Sequence, residues 1–552
     1  MLADRLRARA RDAAFAANVL RATGVARSLR PGGLVSFARA ARGAKFGPHL
    51  AVMLQAHLQP DKECVVEPGP GGLRRLSYGE FDAACNRLAH ALVARGVSPG
   101  DRVALMLPNS IEYLVAQAAL PRIGATLVQI GYRSKPAEIA YILENAEPRA
   151  TLVHGDYLDA MLEARKAAPG GALIVSEPRP GETRAETWEE AVLTAPGDRP
   201  PTVRGEDAGG IIVYTSGTTG KPKGAARAWN KTGLDSVADM MLQVGMRSSD
   251  RHLVLCPLYH SAAPAFVAMM LALGATIVIL RHFEPEAALS LIEREHITCT
   301  LVVPTMLVRI GALPPEIRNR YNTASLRWVM SGAAPLATDT ARTFQELFGP
   351  ILWNFYGATE TGLVTLAGPR DHVSRPGTIG RLMRGNEVRL LGDDGGIATP
   401  GQVGELYARN SMLIGGYHKN RDATRSSMKD GFFSVGDLAR VDGDGYYYLE
   451  SRKHDMVISG GVNIYPREIE DRLHEHPNIL EAAVVGVPDP EWGESLRAYV
   501  VPRPGQALSE AEVIEWTRAS LSDFKRPRSV VFLDELPRNP TGKVLKRELR
   551  AR

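Results

Sequence analysis

The hydrophobic pattern of the chain repeats a unit in which a helical run ends at a glycine and a β-branched run follows. Residues 110–128 contain one such unit around Gly124, and residues 265–280 contain another around Gly274. A third unit, less similar in sequence, spans residues 337–355. Short apolar strands that alternate with helices predict layered α/β structure with parallel strands.

The pattern changes in the second half of the chain. Residues 406–450 are rich in Gly, Asp and aromatic residues, which predicts antiparallel strands joined by turns. The sequence Asp442-Gly-Asp-Gly445 is expected to form a hairpin turn, because it lacks the spacing and the terminal Glu of a calcium loop. Residues 466–533 predict a separate small unit of helices and strands, joined to the body by a linker near residues 452–455.

The longest apolar stretch, residues 265–280, is too short for a membrane span of about 20 residues and splits at Gly274 into a helical and a strand half. Residues 1–30 lack the uninterrupted apolar core of a secretory signal. The four cysteines are scattered and lack metal-ligand spacing, so neither a disulfide framework nor a structural metal is expected. These features favour a cytoplasmic protein.

The net charge of +5 is concentrated at the N-terminus. Residues 1–45 carry ten Lys or Arg and two Asp, a charge of +8, so the remaining 507 residues sum to −3. This distribution does not support a nucleic-acid surface across the body. The basic arm, with Phe15 and Val19 at helical spacing, is compatible with an amphipathic contact on an anionic membrane, with a transit peptide, or with a solvated helix packed on the body.

The strongest chemical signal is residues 211–224, an apolar run followed by a loop of Gly, Ser and Thr that ends in Lys221 and Lys223. Glycines let backbone N–H groups converge on phosphate oxygens, hydroxyls add donors and lysines add positive charge. A surface turn is disfavoured, because nine consecutive residues lack any acidic or large apolar side chain. The spacing of Gly217 and Gly220 does not match a Walker A loop.

A second motif, Asn354-Phe-Tyr-Gly-Ala-Thr-Glu-Thr-Gly362, combines three kinds of nucleotide contact. Tyr356 can stack on a base, Thr359 can bond a phosphate, and Glu360 can hold Mg²⁺, which needs few carboxylates beside phosphate oxygens. A third motif, residues 434–438, places Asp437 where it can accept both ribose hydroxyls.

A fourth motif, Asn539-Pro-Thr-Gly-Lys543, holds a lysine on a glycine-anchored turn near the C-terminus. When a carboxylate attacks ATP, two anions meet, and a cation is needed at the α-phosphate in the transition state. Lys543 suits that role, although a lysine in such a turn is by itself a common surface residue.

In this order, the motifs resemble those of the adenylate-forming superfamily of acyl-CoA synthetases, aryl-CoA ligases, peptide-synthetase adenylation domains and luciferases. The resemblance covers roughly residues 50–550, and residues 455–470 and the glycine-rich loop are its most specific parts. It implies an α/β fold with a large N-terminal domain of layered α/β subdomains and a β-rich subdomain, followed by a small mobile α+β C-terminal domain. The expected boundaries are an arm of residues 1–45, an AMP-binding domain of residues 46–453 and a C-terminal domain of residues 454–552.

The resemblance also implies a role for each matching residue. The β- and γ-phosphates would be wrapped by Thr215, Ser216, Gly217, Thr218, Thr219, Gly220, Lys221 and Lys223, with Thr215 and Glu360 at the metal. The adenine would be flanked by Gly332, Ala333, Ala334 and Tyr356, within motifs that also contain Asn354, Gly357 and Thr359, and the ribose would be held by Asp437 beside Arg452. Lys543 would catalyse adenylation, His260 would lie near the acyl carboxylate, and Ser459, Gly460 and Gly461 would line the pantetheine tunnel.

Three segments depart from the family pattern. His454 occupies the expected pivot, where most relatives carry Asp or Lys, and Ser451 replaces a glycine. Residues 225–230 replace a segment that often contains a Thr-His pair, and residues 261–264 are small where some long-chain enzymes have a gating aromatic. A histidine at the pivot could make domain rotation pH-sensitive, or it could be tolerated in a surface linker.

The resemblance implies an enzyme, an AMP-forming acid–thiol ligase that uses ATP, Mg²⁺ and coenzyme A. The small residues Ala262, Ala263, Ala333 and Ala334 and the basic arm favour a medium- or long-chain fatty acid, and an aromatic or sterol-like acid is the alternative. A ligase that loads a carrier protein is less favoured, because no extra segment separates Asp437 from His454. An inactive adenylate-binding protein is disfavoured by the retention of Glu360, Asp437, Arg452 and Lys543.

Overall fold

The computed structural model of the chain describes residues 14–42, 44, 47–69, 71–200, 209–215, 222–231, 233–460, 462–538 and 543–552. Some residues named above lie outside these ranges: Ser216, Gly217, Thr218, Thr219, Gly220, Lys221, Gly461, the turn 539–542 and residues 1–13 of the arm.

An eight-stranded sheet forms one layer of the N-terminal part. From edge to edge its strands are Gly416–Tyr417, Lys223–Ala228, Gly210–Thr215, Thr126–Gln129, Arg102–Met106, Ala150–His154, Ala172–Ser176 and Glu186–Thr187. The six strands from Gly210–Thr215 to Glu186–Thr187 are parallel, as the helix–strand alternation predicts. The glycine-rich loop therefore leaves the carboxyl end of a parallel strand, where ligands bind in open α/β sheets.

A fourteen-stranded sheet forms the second layer. In spatial order its strands are Glu387–Leu391, Gly404–Arg409, Phe432–Val441, Tyr447–Arg452, Thr378–Leu382, Gly362–Ala367, Leu352–Ala358, Trp328–Ser331, Cys299–Val302, Arg251–Val254, Thr276–Ile279, Glu63–Gly69 and Gly72–Ser77, and Met428–Lys429 pairs with Phe432–Val441. The strands from Leu352–Ala358 to Glu63–Gly69 are parallel, and within this sheet every pairing made by the strands between Gly362 and Arg452 is antiparallel. The antiparallel region thus begins before residue 406, because Gly362–Ala367 turns back directly on its neighbour.

A five-stranded sheet forms the small C-terminal unit. Its strands are Val462–Ile464, Val457–Ser459, Gly493–Pro502, Ile479–Asp489 and Ser529–Phe532. The chain passes from the large sheet to this one between Arg452 and Val457, within the linker that the sequence predicts. The hairpin Val457–Ile464 and the final helix Lys546–Arg550 had no periodic signal, because both are too short to show one.

Helices cover the faces of the sheets. They are residues 14–22 and Pro31–Ala40, His49–Leu58, Tyr78–Ala94, Ile111–Ala119, Pro136–Ala146, Leu158–Arg165, Leu234–Val244, Ala262–Leu273, Pro285–Arg294, Pro304–Gly311, Pro315–Arg318, Thr338–Phe348, Asp371–Ser374, Arg421–Ser427, Pro466–His474, Glu510–Arg518 and Lys546–Arg550. Ala262–Leu273 ends at Gly274, whose φ of 81° only glycine adopts without strain, and the buried strand Thr276–Ile279 follows. Within the described ranges no helix is both long and apolar enough to span a bilayer.

The described part of the arm packs on the body. Val25 is buried, and the Ser248 N–H donates to the Thr23 carbonyl over 2.8 Å. The Arg384 guanidinium lies 4.2 Å from the centre of the Phe15 ring. This matches the packed-helix alternative for residues 14–42.

Candidate active site

Asp437 lies at the centre of a buried polar group. Its strand pairs with Tyr447–Arg452 in a register that sets Asp437 opposite Arg452, and the Arg452 Nε lies 3.3 Å from Asp437 Oδ1. The Tyr356 hydroxyl donates to Asp437 Oδ2 over 2.8 Å. Burial, reinforced by the neighbouring Asp437 carboxylate, raises the pKa of Tyr356 well above its usual value, so Tyr356 remains a proton donor.

Glu360 receives hydroxyl groups from two different parts of the chain. The Tyr417 hydroxyl lies 3.1 Å and the Thr215 hydroxyl 3.4 Å from the same Glu360 oxygen. The Lys223 ammonium lies 5.3 Å from the centre of the Tyr417 ring. Thr215 and Lys223 flank the glycine-rich loop. Thr215 lies next to Glu360 itself, and Lys223 lies next to Tyr417, which reaches Glu360.

Arg227 fixes the loop before Glu360. Its guanidinium donates to the Thr359 carbonyl over 2.6 Å, while its Nε has no hydrogen-bond partner among the described residues. Burial lowers the pKa of Arg227 to about 10, and the negative charge of Glu360 partly opposes this by favouring the charged guanidinium. The Thr359 hydroxyl lies 3.0 Å from that of Ser261, which ties the loop to the residue after His260.

The loop after strand Trp328–Ser331 is tightly constrained. Ala333 has a φ of 64°, which costs a non-glycine residue free energy and is characteristic of functional sites. A Cβ on Gly332 would lie 2.1 Å from the Phe355 ring, so only glycine fits there. The buried Ser331 Oγ and Asn354 Oδ1 are adjacent in the strand register, and both lack a partner within the described ranges. Two polar atoms beside the strained loop can therefore bond a ligand.

Lys543 reaches this centre from the small C-terminal unit. Burial and the positive charge of Arg452 lower its pKa to about 8, while Asp437 and Glu360 act in the opposite direction. The electrostatic influence of all three side chains means that Lys543 lies near them. The structure therefore brings together four residues that the sequence predicts for one site: Glu360, Asp437, Arg452 and Lys543.

In this domain orientation Ser459 and Gly460 lie away from the group formed by Glu360, Asp437, Arg452 and Lys543. Ser459 is the half-buried last residue of the strand Val457–Ser459, and Gly460 is exposed in the turn that follows, where its N–H donates to the Trp492 carbonyl over 2.9 Å. His454, at the predicted pivot, is 43% exposed, and its pKa is lowered below the usual value, chiefly by burial. His454 is therefore mainly neutral at pH 7, and any effect of its protonation on rotation belongs to acidic conditions.

Three contacting residues were missed by the sequence reasoning. Tyr417 and Arg227 contact the Glu360 turn, and Arg467 donates to the Leu336 carbonyl over 2.5 Å, across the two domains. None lies in a motif whose composition indicates chemistry by itself. For Arg227, the only signal was that its segment departs from the family pattern.

Comparison with known proteins identifies the family. Residues 53–418 match the family described as AMP-binding enzyme, and residues 468–543 match the AMP-binding enzyme C-terminal domain. The chain belongs to the AMP-binding enzyme family. The predicted resemblance to adenylate-forming enzymes is confirmed, as are the α/β fold with a large and a small domain and the AMP-forming ligase class.

Named members of the AMP-binding enzymes resemble the chain over most of its length. A feruloyl-CoA synthase from Amycolatopsis sp is 35% identical over 490 residues, 86% of this chain and 94% of the relative. The long-chain-fatty-acid–CoA ligase FadD13 of Mycobacterium tuberculosis is 31% identical over 496 residues, 90% of this chain and 96% of the relative. The anthranilate CoA ligase AuaEII, solved with anthranoyl-AMP, has a TM-score of 0.84 at 26% identity, covering 92% of this chain and 97% of that one.

The predicted co-substrates, ATP and coenzyme A with Mg²⁺, are those of this AMP-binding enzyme family. The residues at Glu360 suit magnesium, because the Thr215 hydroxyl and the Glu360 carboxylate offer hard oxygen ligands at the end of the strand Gly210–Thr215. The family match leaves the acid open, since the relatives act on both aromatic and aliphatic acids.

Proposed function

We propose that the chain joins a carboxylic acid to coenzyme A through an acyl-adenylate, with release of pyrophosphate and AMP. The observation that carries the proposal is the convergence of Lys543 on Asp437, Arg452 and Glu360. A lysine from the C-terminal unit is thereby added to a nucleotide-binding group that the large domain builds. An inactive binding protein has no need of such a residue.

In the first half-reaction, a carboxylate oxygen attacks the α-phosphate of ATP, and the bond to pyrophosphate breaks. Asp437, held by Tyr356 and Arg452, accepts hydrogen bonds from the ribose hydroxyls. The Lys543 ammonium offsets the negative charge that accumulates at the α-phosphate. Magnesium, held by Thr215 and Glu360, would neutralise phosphate charge.

In the second half-reaction, the coenzyme A thiol attacks the acyl carbon and AMP leaves. The predicted tunnel residues Ser459 and Gly460 lie on the exposed hairpin here, so a rotation near His454 must bring them to the acyl-adenylate. The short turn between Val441 and Tyr447 supports transfer to coenzyme A instead of a carrier protein, because no additional segment interrupts the hairpin before the hinge.

For the acid, the sequence favours a medium- or long-chain fatty acid, and the walls near His260 support an apolar acyl group. Ala262 and Ala263 are small and begin the helix Ala262–Leu273. The same helix carries the buried Phe266, whose ring centre lies 5.6 Å from that of Phe355.

A ring-bearing acid is the second candidate. The similarity to a feruloyl-CoA synthase and to an anthranilate CoA ligase favours this alternative. The similarity to FadD13 favours the fatty acid.

A substrate panel tests the proposal. The full chain is assayed with ATP, Mg²⁺ and coenzyme A against octanoate, palmitate, cinnamate and benzoate, and both acid-dependent pyrophosphate exchange and acyl-CoA are measured. We expect exchange and thioester with an apolar acid, and the ratio of kcat/KM between palmitate and cinnamate decides between the candidates. The Lys543→Ala variant is the matched control for contaminating activity.

Two outcomes would contradict the proposal. Exchange without acyl-CoA, even at saturating coenzyme A, would mean that a different acceptor takes the acyl group. Nucleotide binding without exchange for any acid would favour the inactive adenylate-binding protein.

A further inference from the structure

The described part of the N-terminal arm, residues 14–42, has an unusual surface charge. It contains five arginines and neither Asp nor Glu. All five are exposed, and none forms an ion pair with another described residue: Arg21, Arg27, Arg30, Arg39 and Arg42. Many exposed arginines elsewhere are paired, for example Arg409 with Glu387 and Arg179 with Asp159. Residues 14–42 therefore present positive charge that the described part of the chain does not neutralise.

The helix Pro31–Ala40 is held on one side only. The Ser36 hydroxyl lies 3.0 Å from His57 Nδ1, and the Phe37 ring packs edge-on against His57 with 6.4 Å between ring centres. A Cβ on Gly33 would lie 2.8 Å from the His57 carbonyl, so glycine allows this close approach. These contacts fix which side of the helix faces the body.

The opposite side is apolar and open. Leu34 is 39% exposed and Val35 51%, and no residue of the helix Pro31–Ala40 is buried. Leu20, in the preceding helix, is 40% exposed. Single exposed apolar residues are normal, but apolar residues among unpaired arginines are typical of helices that lie on anionic membranes. Nucleic acid would use the arginines and leave Leu34 and Val35 without a role.

The arm is connected to the helix of the proposed acyl wall through one intervening helix. The helix His49–Leu58, on which it packs, contacts the helix Ala262–Leu273, and Gln55 Nε2 donates to the Ala272 carbonyl over 2.8 Å. The latter helix carries Ala262 and Phe266 at the acyl wall. One helix thus separates the open face from the element that lines the acyl pocket.

We propose that the arm docks the protein on the surface of an anionic lipid bilayer, with Leu34 and Val35 inserted among the lipids and the arginines at the headgroups. The docking itself needs only the arm. That it supplies an apolar acid from the bilayer to the pocket rests on the proposed function.

Vesicle co-sedimentation of the full chain tests the docking without substrates. The probes are vesicles of phosphatidylcholine alone and vesicles with 30% phosphatidylglycerol. We expect binding to the anionic vesicles only, and a loss that grows between about 0.1 M and 0.5 M salt. The paired variants Leu34→Ser with Val35→Ser, and Arg39→Glu with Arg42→Glu, should each weaken binding by about tenfold or more.

Matched controls separate the arm from general surface effects. Val373→Ser with Ile397→Ser removes two apolar residues elsewhere that are more exposed than Leu34 and Val35, and Arg320→Glu with Arg518→Glu reverses two exposed arginines outside the arm. Both control pairs should bind as the unaltered chain does. All variants should keep unaltered activity on a water-soluble acid.

The docking proposal is overturned if the unaltered chain does not sediment with anionic vesicles, or if both arm pairs bind like the controls. The docking proposal is also overturned by a second result. This result is that duplex DNA or RNA fully displaces the protein from the anionic vesicles, while the protein's binding to that nucleic acid is unaffected by Leu34→Ser with Val35→Ser. Because sedimentation needs no turnover, failure of docking leaves the ligase proposal intact, and the converse also holds.

Discussion

Arg467, in the small domain, donates a hydrogen bond to the Leu336 main-chain carbonyl of the large domain over 2.5 Å. The guanidinium is held by Asp471, one helical turn away, at 2.9 Å. Leu336 lies in the same loop as the strained Ala333, between the strand Trp328–Ser331 and the helix Thr338–Phe348. The contact therefore joins the two domains in the orientation in which Lys543 lies near Asp437.

Removing this contact should weaken adenylation selectively. A charge-assisted hydrogen bond contributes about 1.5–3 kcal/mol, so Arg467→Ala should slow acid-dependent pyrophosphate exchange by roughly tenfold or more. Transfer from synthetic acyl-AMP to coenzyme A should be unchanged or faster. Arg518→Ala, which removes an exposed arginine of the same domain, is the control, and equal losses in both half-reactions would mean that Arg467 is only structural.

Lys543 is expected to serve the first half-reaction alone. Lys543→Ala should reduce pyrophosphate exchange by about 100- to 1,000-fold, as for other transition-state charge contacts in enclosed sites. The same variant should still convert synthetic acyl-AMP and coenzyme A to acyl-CoA at a nearly unaltered rate. A comparable loss in both steps would contradict the assignment.

The pKa of Lys543 sets a pH dependence. Burial lowers that pKa to about 8, so the ammonium loses its proton at a lower pH than an ordinary lysine. Because the charged form is required, kcat/KM for adenylation should be level below pH 8 and fall about tenfold per pH unit above it. Transfer from acyl-AMP, measured over the same range, should not decline. A decline beginning only above pH 10 would place Lys543 outside the buried centre.

The ribose site predicts a change in ATP affinity. Asp437→Ala removes a charged acceptor, at a cost of about 1.5–3 kcal/mol, and should raise the KM for ATP by roughly 10- to 100-fold. Tyr356→Phe keeps the ring and removes the 2.8 Å hydrogen bond, so its effect should be smaller and in the same direction. An unaltered KM for ATP in the alanine variant would show that Asp437 does not contact the nucleotide.

Locking the linker should have the opposite effect to removing Lys543. Proline fixes φ, so His454→Pro should still form acyl-AMP but transfer the acyl group slowly. Rapid single-turnover measurement of acyl-AMP and acyl-CoA separates the two steps. Lys453→Pro is not a suitable control, because the Lys453 N–H donates to the Gly436 carbonyl, and His454→Ala is used instead. Unimpaired transfer in the proline variant would mean that the pivot lies elsewhere.

Much of this protein could be predicted from local sequence. The glycine that ends the helix Ala262–Leu273 and the β-branched run after it predicted a buried parallel strand, and Thr276–Ile279 is that strand. The loop composition after Ile211 and the order of the four motifs were sufficient for the family. These features depend on residues that are adjacent in the chain, where propensity, hydrogen-bonding capacity and spacing act directly.

Only the tertiary structure showed which distant atoms meet. The Tyr417 hydroxyl reaches Glu360, Arg227 holds the Thr359 carbonyl, and Phe355 covers Gly332. None of these contacts has a local signature, because the first two depend on how two sheets are placed and the third on how two strands pair within one sheet. The sequence by itself determined the elements and the chemistry available at their ends. The packing of sheets and helices decided which side chains became hydrogen-bond partners. A side chain has fixed neighbours only once the elements around it have packed and buried it.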